Sequence, residues 1–488
     1  MNQQLFEHQK TGIEFPKKAK KAILADSMGL GKTRQAIIAA KELSGGGVVV
    51  CPASLKINWQ REINKVYPDD HVFIVQGGKV DFVVDFMFNQ WFVINYDVLS
   101  KHKWLIDAIR WHKTLILDEA HYIKGRSIRA KKAIELSMVA ENVYCLTGTP
   151  VMNRPIELFN LLQAVGHYLG KNRTAYAKRY CGAFMMAFVH TPNGKRFMSP
   201  LSAAYGYASK PGYRLGQRFL NEGGATHLDE LRKNIDLIFL RRKKEDVLDL
   251  PERIVSVQEV KIEADQKKQY DNAWDNYLEF FKENPVSEEK MDNILMARHL
   301  VEIQKLKQIC SIAKVPRMAD DIENAIEQEE KVIVFSQYTD TINHLAAEMM
   351  GRGISYETLT GQDDMDQRQA AIDKFQKDPE TKVFISNIKA GGVGITLTAA
   401  SIVMFADMDW SPEIHNQAID RAHRIGQNKM VNAYFYYCPE TVEDDIMELL
   451  NAKKDILDQV VEGQPGRIKT ESIQQEFMKR MAQKSNRY

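Results

Sequence analysis

Cysteine is scarce in this chain, with five residues in 488, at Cys51, Cys145, Cys181, Cys310 and Cys438. The number is odd, the spacing is wide, and neither a C-x-x-C pair nor a histidine cluster accompanies them, which argues against a disulfide framework and against structural zinc. Long apolar runs are missing too. No stretch approaches the roughly 20 residues that span a bilayer. The segment from Met1 to Glu14 lacks the basic-then-apolar pattern of a secretory signal. The expectation is an intracellular protein with no membrane role. Charge of one sign is not in excess either. With a net charge of +2, a polyanionic partner has to be met by a local basic surface and not by a basic average. Lys17, Lys18, Lys20 and Lys21 form one such cluster, Arg241 to Lys244 a second, and the tail from Gln464 to Tyr488 a third. Each alone is more often a solvated face than a binding site. Internal repeats and low-complexity tracts are also lacking.

What is present is a globular composition, 44% hydrophobic and 27% charged, in a chain too long for one core. At about 150 residues per domain, two to four folding units are expected. Apolar, β-branched runs bounded by turn residues recur at Val48 to Cys51, Val72 to Val75, Phe92 to Asn95, Thr114 to Leu117 and Val143 to Leu146. The same texture returns at Val332 to Phe335, Val383 to Ser386, Ile402 to Phe405 and Ala433 to Tyr437. Such runs separated by helical spacing read as parallel sheets. The predicted fold class is therefore α/β, with lobes over 1–160 and 325–450. Between them, 161–324 reads as a mostly helical insertion that includes Ala264 to Glu283 and Met291 to Ile312. Phe184 to Gly224, rich in Pro and Gly, reads as a long loop or hairpin excursion. Beyond the second lobe, 451–488 is expected to hold a C-terminal helix and a basic tail. Val442, Ile446, Leu449 and Leu450 share one face of a helix that docks on a lobe.

Two motifs carry chemistry. After the apolar Ala22 to Ala25 come Asp26, Ser27, Met28, Gly29, Leu30, Gly31, Lys32 and Thr33, then the helix-forming Gln35 to Leu43. Strand, glycine loop and helix form the setting of a phosphate-binding loop: backbone N–H groups turn onto phosphate oxygens, Lys32 brings a charge to the β and γ phosphates, and Thr33 offers a hydroxyl to Mg²⁺. The strict pattern has glycine where Asp26 stands. Farther on, the apolar Leu115 to Leu117 delivers Asp118 and Glu119, followed by Ala120 and His121. Carboxylates at the carboxyl end of a strand sit where open α/β sheets bind ligands. Asp118 is suited to the Mg²⁺ shell and Glu119 to polarising the water that attacks the γ-phosphate. ATP hydrolysis is the consequence. Gln417, Arg421 and Arg424 fall at i, i+4 and i+7, so a helix would carry them on one face toward that phosphate, as arginine fingers from an opposite lobe.

D-E-A-H preceded by a loop ending G-K-T resembles superfamily 2 helicase-type ATPases. Further segments resemble their Swi/Snf-type DNA translocase branch: Leu146 to Pro150, Lys331 to Tyr338, Ser386 to Thr396 and Gln417 to Gln427. The resemblance spans nearly the whole chain and implies two RecA-like lobes. It also implies that Gln9 reads adenine, that His121, Thr147, Thr149 and Gln417 couple hydrolysis to DNA, and that Ser54, Lys56, Asn387 and Lys389 contact DNA. Tyr180 to Ala183, Gly223 to Ala225, Leu228 to Leu231 and Leu240 to Val247 are similar to the fork-remodelling, strand-annealing subfamily, with an expanded loop from Phe184 to Leu220 and Ser27 at a position where Glu is common. The expectation is an ATP-driven, Mg²⁺-dependent translocase on duplex or branched DNA, in repair, replication or recombination. A strand-separating DNA or RNA helicase and an ATP-switched remodeller of protein–DNA complexes remain alternatives.

Overall fold

The structure, a computed structural model, describes residues 5–77, 86–148, 155–191, 194–198, 214–222, 224–248, 250–283, 293–391, 395–450, 477–478 and 480–481. Among these, seven strands form the first sheet: β1 (Lys21–Leu24), β2 (Gly47–Cys51), β3 (His71–Ile74), β4 (Gln90–Asn95), β5 (Thr114–Leu117), β6 (Asn142–Leu146) and β10 (Phe239–Leu240). Their order is β10-β1-β6-β5-β2-β4-β3, with every pairing parallel. Strands β2, β4, β5 and β6 are buried at every position, which is why they read as continuous apolar runs: helices cover both faces of a parallel sheet. One face packs Val48, Val50, Leu115 and Leu117 with Ile109 and Ile134. The other packs Val49, Ile116 and Leu146 with Ile37, Trp59 and Ile63.

The strand order sets the chemistry. Because β1, β6 and β5 are adjacent and parallel, the loop after β1, the Thr147-Gly148 exit of β6 and the Asp118-Glu119 exit of β5 leave the sheet side by side.

The second sheet has the order β11-β16-β15-β12-β14-β13, again parallel throughout: β11 (Arg253–Glu259), β12 (Val332–Ser336), β13 (Tyr356–Leu359), β14 (Val383–Asn387), β15 (Ile402–Phe405) and β16 (Val431–Tyr437). Its faces carry separate cores, one around Phe335, Phe375, Phe384 and Phe405, the other around Val334, Ile385, Met318 and Leu345. Both sheets are α/β lobes of the RecA-like kind.

The span between the lobes differs from the expected helical insertion. Helices Ala264–Glu283 and Asn293–Ala313 are present, but β10 joins the first sheet and β11 the second. The chain thus crosses between sheets within 241–252. Helices Arg173–Tyr180 and Leu228–Ile235 pack into the first lobe's core through Tyr176, Tyr180, Leu231 and Ile235. Tyr270, Tyr277, Ile303 and Leu306 pack instead against Val442, Ile446 and Leu449 of the helical segment 442–450, the helix expected to dock. Strand β10 spans two residues and β11 is mostly exposed, so neither carries the apolar signature of a buried strand. The excursion after Phe184 contains an antiparallel sheet, β8-β7-β9, of β7 (Phe184–Thr191), β8 (Gly194–Met198) and β9 (Arg214–Asn221). Among the described residues, no helix is long and apolar enough to cross a membrane.

Candidate active site between the two lobes

The phosphate loop is held by its own backbone. The Leu30 carbonyl accepts Gln35 Nε2 at 2.9 Å and faces His8 Nε2 at 3.2 Å. Gly31, at φ +78°, begins helix Lys32–Ser44 in a left-handed turn. A side chain there would come within 2.4 Å of Gln9 Nε2, so glycine lets the buried Gln9 lie against the loop. Lys32 Nζ donates to the carbonyls of Asp26 at 2.6 Å and Ser27 at 3.2 Å. Burial lowers its pKa, opposed by Asp26 and Glu119. Thr33 follows it in the helix's first turn, half-buried.

Asp26, expected among the phosphate-binding residues, has its carboxylate turned to another task. It is fully buried and ion-paired with Arg242, whose Nε and backbone N–H donate to Oδ1 at 3.1 and 3.0 Å. Only its carbonyl serves the loop, through Lys32. The guanidinium that neutralises an aspartate at the usual glycine position comes from Arg242, just past β10.

At the exit of β5, Asp118 accepts Trp59 Nε1 at 2.7 Å and the Glu119 N–H at 2.9 Å, while Tyr96 Oη holds its carbonyl at 2.8 Å. Burial first, then Glu119, pushes its pKa up to about 6. Glu119 has φ +47°, a left-handed backbone that costs roughly 1–2 kcal/mol outside glycine. It reverses the chain straight after Asp118. Burial opposes ionisation of Glu119, yet the neighbouring His121, at 3.3 Å, together with Lys32 and Arg421, brings its pKa below the ordinary value. Thr147 is buried and its N–H donates to the Leu24 carbonyl at 3.0 Å. A side chain on Gly148 would come within 2.7 Å of Met28 Cγ. The β6 exit therefore abuts the phosphate loop. Thr149 lies outside the described residues.

The second lobe meets this surface with its arginines. The expected continuous helix does not occur: helix Pro412–Ile419 ends before them, with Gln417 half-buried on it. The Arg421 carbonyl accepts the Leu397 N–H at 2.9 Å, and Gln427 Nε2 reaches the Ala400 carbonyl at 2.7 Å. These long-range bonds tighten 420–427 into turns. Arg421 is buried with Nη2 3.9 Å from Met28 Sδ, its pKa lowered to about 10 by burial and then by Arg424. Arg424 donates to Thr396 Oγ1 at 2.9 Å. A side chain on Gly29, at φ +84°, would come within 3.0 Å of Arg424 Cβ, so this glycine admits the arginine turn to the phosphate loop.

The expected DNA contacts divide. Ser54 is exposed at the β2 exit and Lys389 is exposed beyond β14. Asn387 donates to the Gln337 carbonyl at 3.0 Å. Lys56 is a correction: it is buried, and its ammonium donates to the Val75 carbonyl at 3.2 Å, inside the lobe. Its position on the inner face of helix Lys56–Val66 takes it from the surface. Lys244, seen in sequence as part of a basic cluster and of the Leu240 to Val247 resemblance, proves to reach the second lobe's arginine turn, with Nζ 2.5 Å from Asp420 Oδ1 and 2.7 Å from the His423 carbonyl.

Two parallel-sheet lobes that face a lysine-bearing phosphate loop and a strand-end carboxylate pair with two arginines define a helicase-type nucleoside triphosphatase core. The chain belongs to the SNF2-related family: residues 8–315 match the SNF2-related domain, and 312–426 match the helicase conserved C-terminal domain. It is 30% identical, over 475 residues, to a SWI/SNF-related matrix-associated actin-dependent regulator of chromatin subfamily A-like protein 1 homolog of Caenorhabditis elegans, with 94% of this chain and 62% of that protein aligned. It is 30% identical to the DNA annealing helicase and endonuclease ZRANB3 of Homo sapiens over 96% of this chain and 41% of that protein. The chain thus spans 41% to 62% of the length of these curated relatives. Among solved structures, the Sulfolobus solfataricus SWI2/SNF2 ATPase core in complex with dsDNA shares 22% identity over 94% of this chain and 93% of that one, at a TM-score of 0.42.

Proposed function

We propose that the chain hydrolyses ATP and uses the cycle to track along duplex or branched DNA inside the cell, in repair, replication or recombination. The observation that carries the reading is the meeting of the two lobes at one point: Arg421 beside Met28, and Arg424 against Gly29 of the phosphate loop. Residues that touch nucleotide phosphates from both sides make closure of the lobes part of the hydrolysis step.

Lys32 and the loop N–H groups bind the β and γ phosphates, and Gln9, packed on Gly31, lies at the loop's adenine side. Glu119 orients the attacking water, and its buried Oε2 lies 3.3 Å from His121 Nδ1. Asp118 and Thr33 fit a hard divalent cation: Asp118's two oxygens each accept a single hydrogen bond, and it sits in a buried anionic pair beside Lys32. When bound there, Mg²⁺ supplies charge neutralisation to the phosphates. Arg421 and Arg424 hold the charge that spreads over the transferred phosphoryl group. His121, Thr147, Thr149 and Gln417 pass the nucleotide state to DNA-facing segments that include Ser54, Asn387 and Lys389.

Lobes that grip phosphates in alternation need no base contacts, so movement is largely independent of sequence and binding weakens steeply with salt. The test is displacement of a triplex-forming strand. ATP-dependent release of the third strand from a blunt duplex, with little separation of a tailed partial duplex, supports translocation. Efficient unwinding without triplex release would assign a strand-separating helicase instead. ATP-dependent removal of a bound protein with neither activity would assign a remodeller that travels little.

A further inference from the structure

The two sheets are joined by a short crossing, since β10 ends at Leu240 and β11 begins at Arg253. The first part of the crossing is bonded to the phosphate loop. The Ala25 N–H donates to the Leu240 carbonyl at 2.7 Å, the Ser27 N–H donates to the Arg242 carbonyl at 3.0 Å, and Arg242 embraces the buried Asp26. Residues 240–242 therefore move with the phosphate loop as one body. Two residues later Lys244 opens the short helix Lys244–Val247, and its buried ammonium reaches the other lobe. It lies between Asp420 Oδ1 at 2.5 Å and the His423 carbonyl at 2.7 Å, the residues that flank Arg421 and Arg424. The far part of the crossing touches the same turn, where His423 Nε2 lies 2.8 Å from the Pro251 carbonyl.

We propose that Lys244 is a positioning residue for hydrolysis: it ties the phosphate loop, through Arg242 and Asp26, to the turn that carries Arg421 and Arg424, and so sets the closed geometry of the site. The proposal rests on the reading of the cleft as an ATP site. Its physical basis is the irregularity of 420–427. A turn outside any helix has no periodic backbone to fix its side chains, and a buried ammonium that bonds both Asp420 and a main-chain carbonyl supplies a fixed point. Lys244 touches no phosphate-binding group directly. A side chain on Gly29 would lie 3.6 Å from its Cε, so the lysine stem also lines the floor on which the loop and the arginine turn meet. Other groups facing the ammonium are Arg253 and Arg424, which oppose its charge, and Asp420, which supports it.

The experiment measures kcat and KM for ATP at saturating duplex DNA, with the affinity for a fluorescent ADP, in Lys244→Met, Asp420→Asn, the double variant and Lys244→Arg. Lys244→Met and Asp420→Asn are each expected to lower kcat about 10-fold or more, with ADP affinity within about threefold of the parent. The double variant is expected to lose no more than Lys244→Met alone, because that change already removes the contact with Asp420. Lys244→Arg is expected to recover part of the loss. Where Lys244→Met does not melt cooperatively, the milder Asp420→Asn carries the test. An unchanged kcat in Asp420→Asn, or losses that multiply in the double variant, would overturn the proposal. Failure of the ATP-site reading is separable: it would show as wild-type turnover that survives Lys32→Ala.

Discussion

The two lobes hold their functional groups in different ways. In the first, the groups stand on the segments that follow buried strands and are fixed by bonds within that lobe: Leu30 by Gln35, Lys32 by the Asp26 and Ser27 carbonyls, Asp118 by Trp59. In the second, Arg421 and Arg424 stand on turns after a helix that stops at Ile419, and what fixes those turns includes Lys244, anchored on the first lobe's side of the crossing. A rigid half suits binding. A half whose geometry depends on contact with its partner suits control of turnover, since its contribution exists only when the lobes are closed.

The comparison can be broken from either side. The largest effect is expected from Lys32→Ala, which removes the fixed cation at the phosphates. ATP turnover is expected to fall below detection while a thermal melt shows an intact fold, and near wild-type turnover would break the assignment of binding to the first lobe. Glu119→Gln is expected to lower turnover by about 10² to 10⁴-fold while ATP still binds, because the water-orienting carboxylate goes and the phosphate loop stays. Loss of ATP binding in an equilibrium titration would contradict that division of roles.

Smaller effects sharpen the claim of rigidity. Asp26→Ala leaves the mostly covered Arg242 without its carboxylate, and removing one partner of a buried pair costs up to about 3–5 kcal/mol. Denaturant unfolding is expected to register that loss. A change below about 1 kcal/mol would mean that the loop is not held by this pair. Asp118→Asn works in the opposite direction. The folded carboxyl is raised from 3.8 to about 6, so its ionised form destabilises the fold at neutral pH. The stability of the wild type relative to the variant is largest below pH 3.8 and is lost as pH rises toward about 6. The variant is therefore expected to melt higher than wild type at pH 7.5, with the gain shrinking as pH falls through that window, although hydrolysis is lost.

Much of the first lobe's site was legible because its motifs are local: strand, loop and helix follow one another from Ala22 to Leu43, and Asp118-Glu119 follows an apolar strand. Parallel pairing then brings the two segments together. The second lobe was less legible. The i, i+4, i+7 spacing of Gln417, Arg421 and Arg424 fits a helix, but the Leu397 N–H and the Gln427 amide capture carbonyls of that stretch. Tertiary partners override local periodicity there. Lys56 looked like a surface cation because its burial depends on the way helix Lys56–Val66 faces Val75. Lys244 was visible as one charge in a cluster and as part of the Leu240 to Val247 resemblance, but its contacts were not, since its partners, Asp420 and His423, lie far along the chain. Strand β10, two residues long, carries no pattern of its own and is defined by pairing with β1.

The central claim is that the second lobe's arginines act on the transition state and not on nucleotide binding. Single-turnover hydrolysis by Arg424→Ala, measured at saturating ATP and duplex DNA beside ATP affinity, tests it most directly. The account predicts a rate about 10³-fold or more below wild type with affinity within about threefold, the signature of a contact made only in the closed state. An unchanged single-turnover rate with weakened ATP binding would contradict it and return Arg424 to the ordinary role of a phosphate-binding cation.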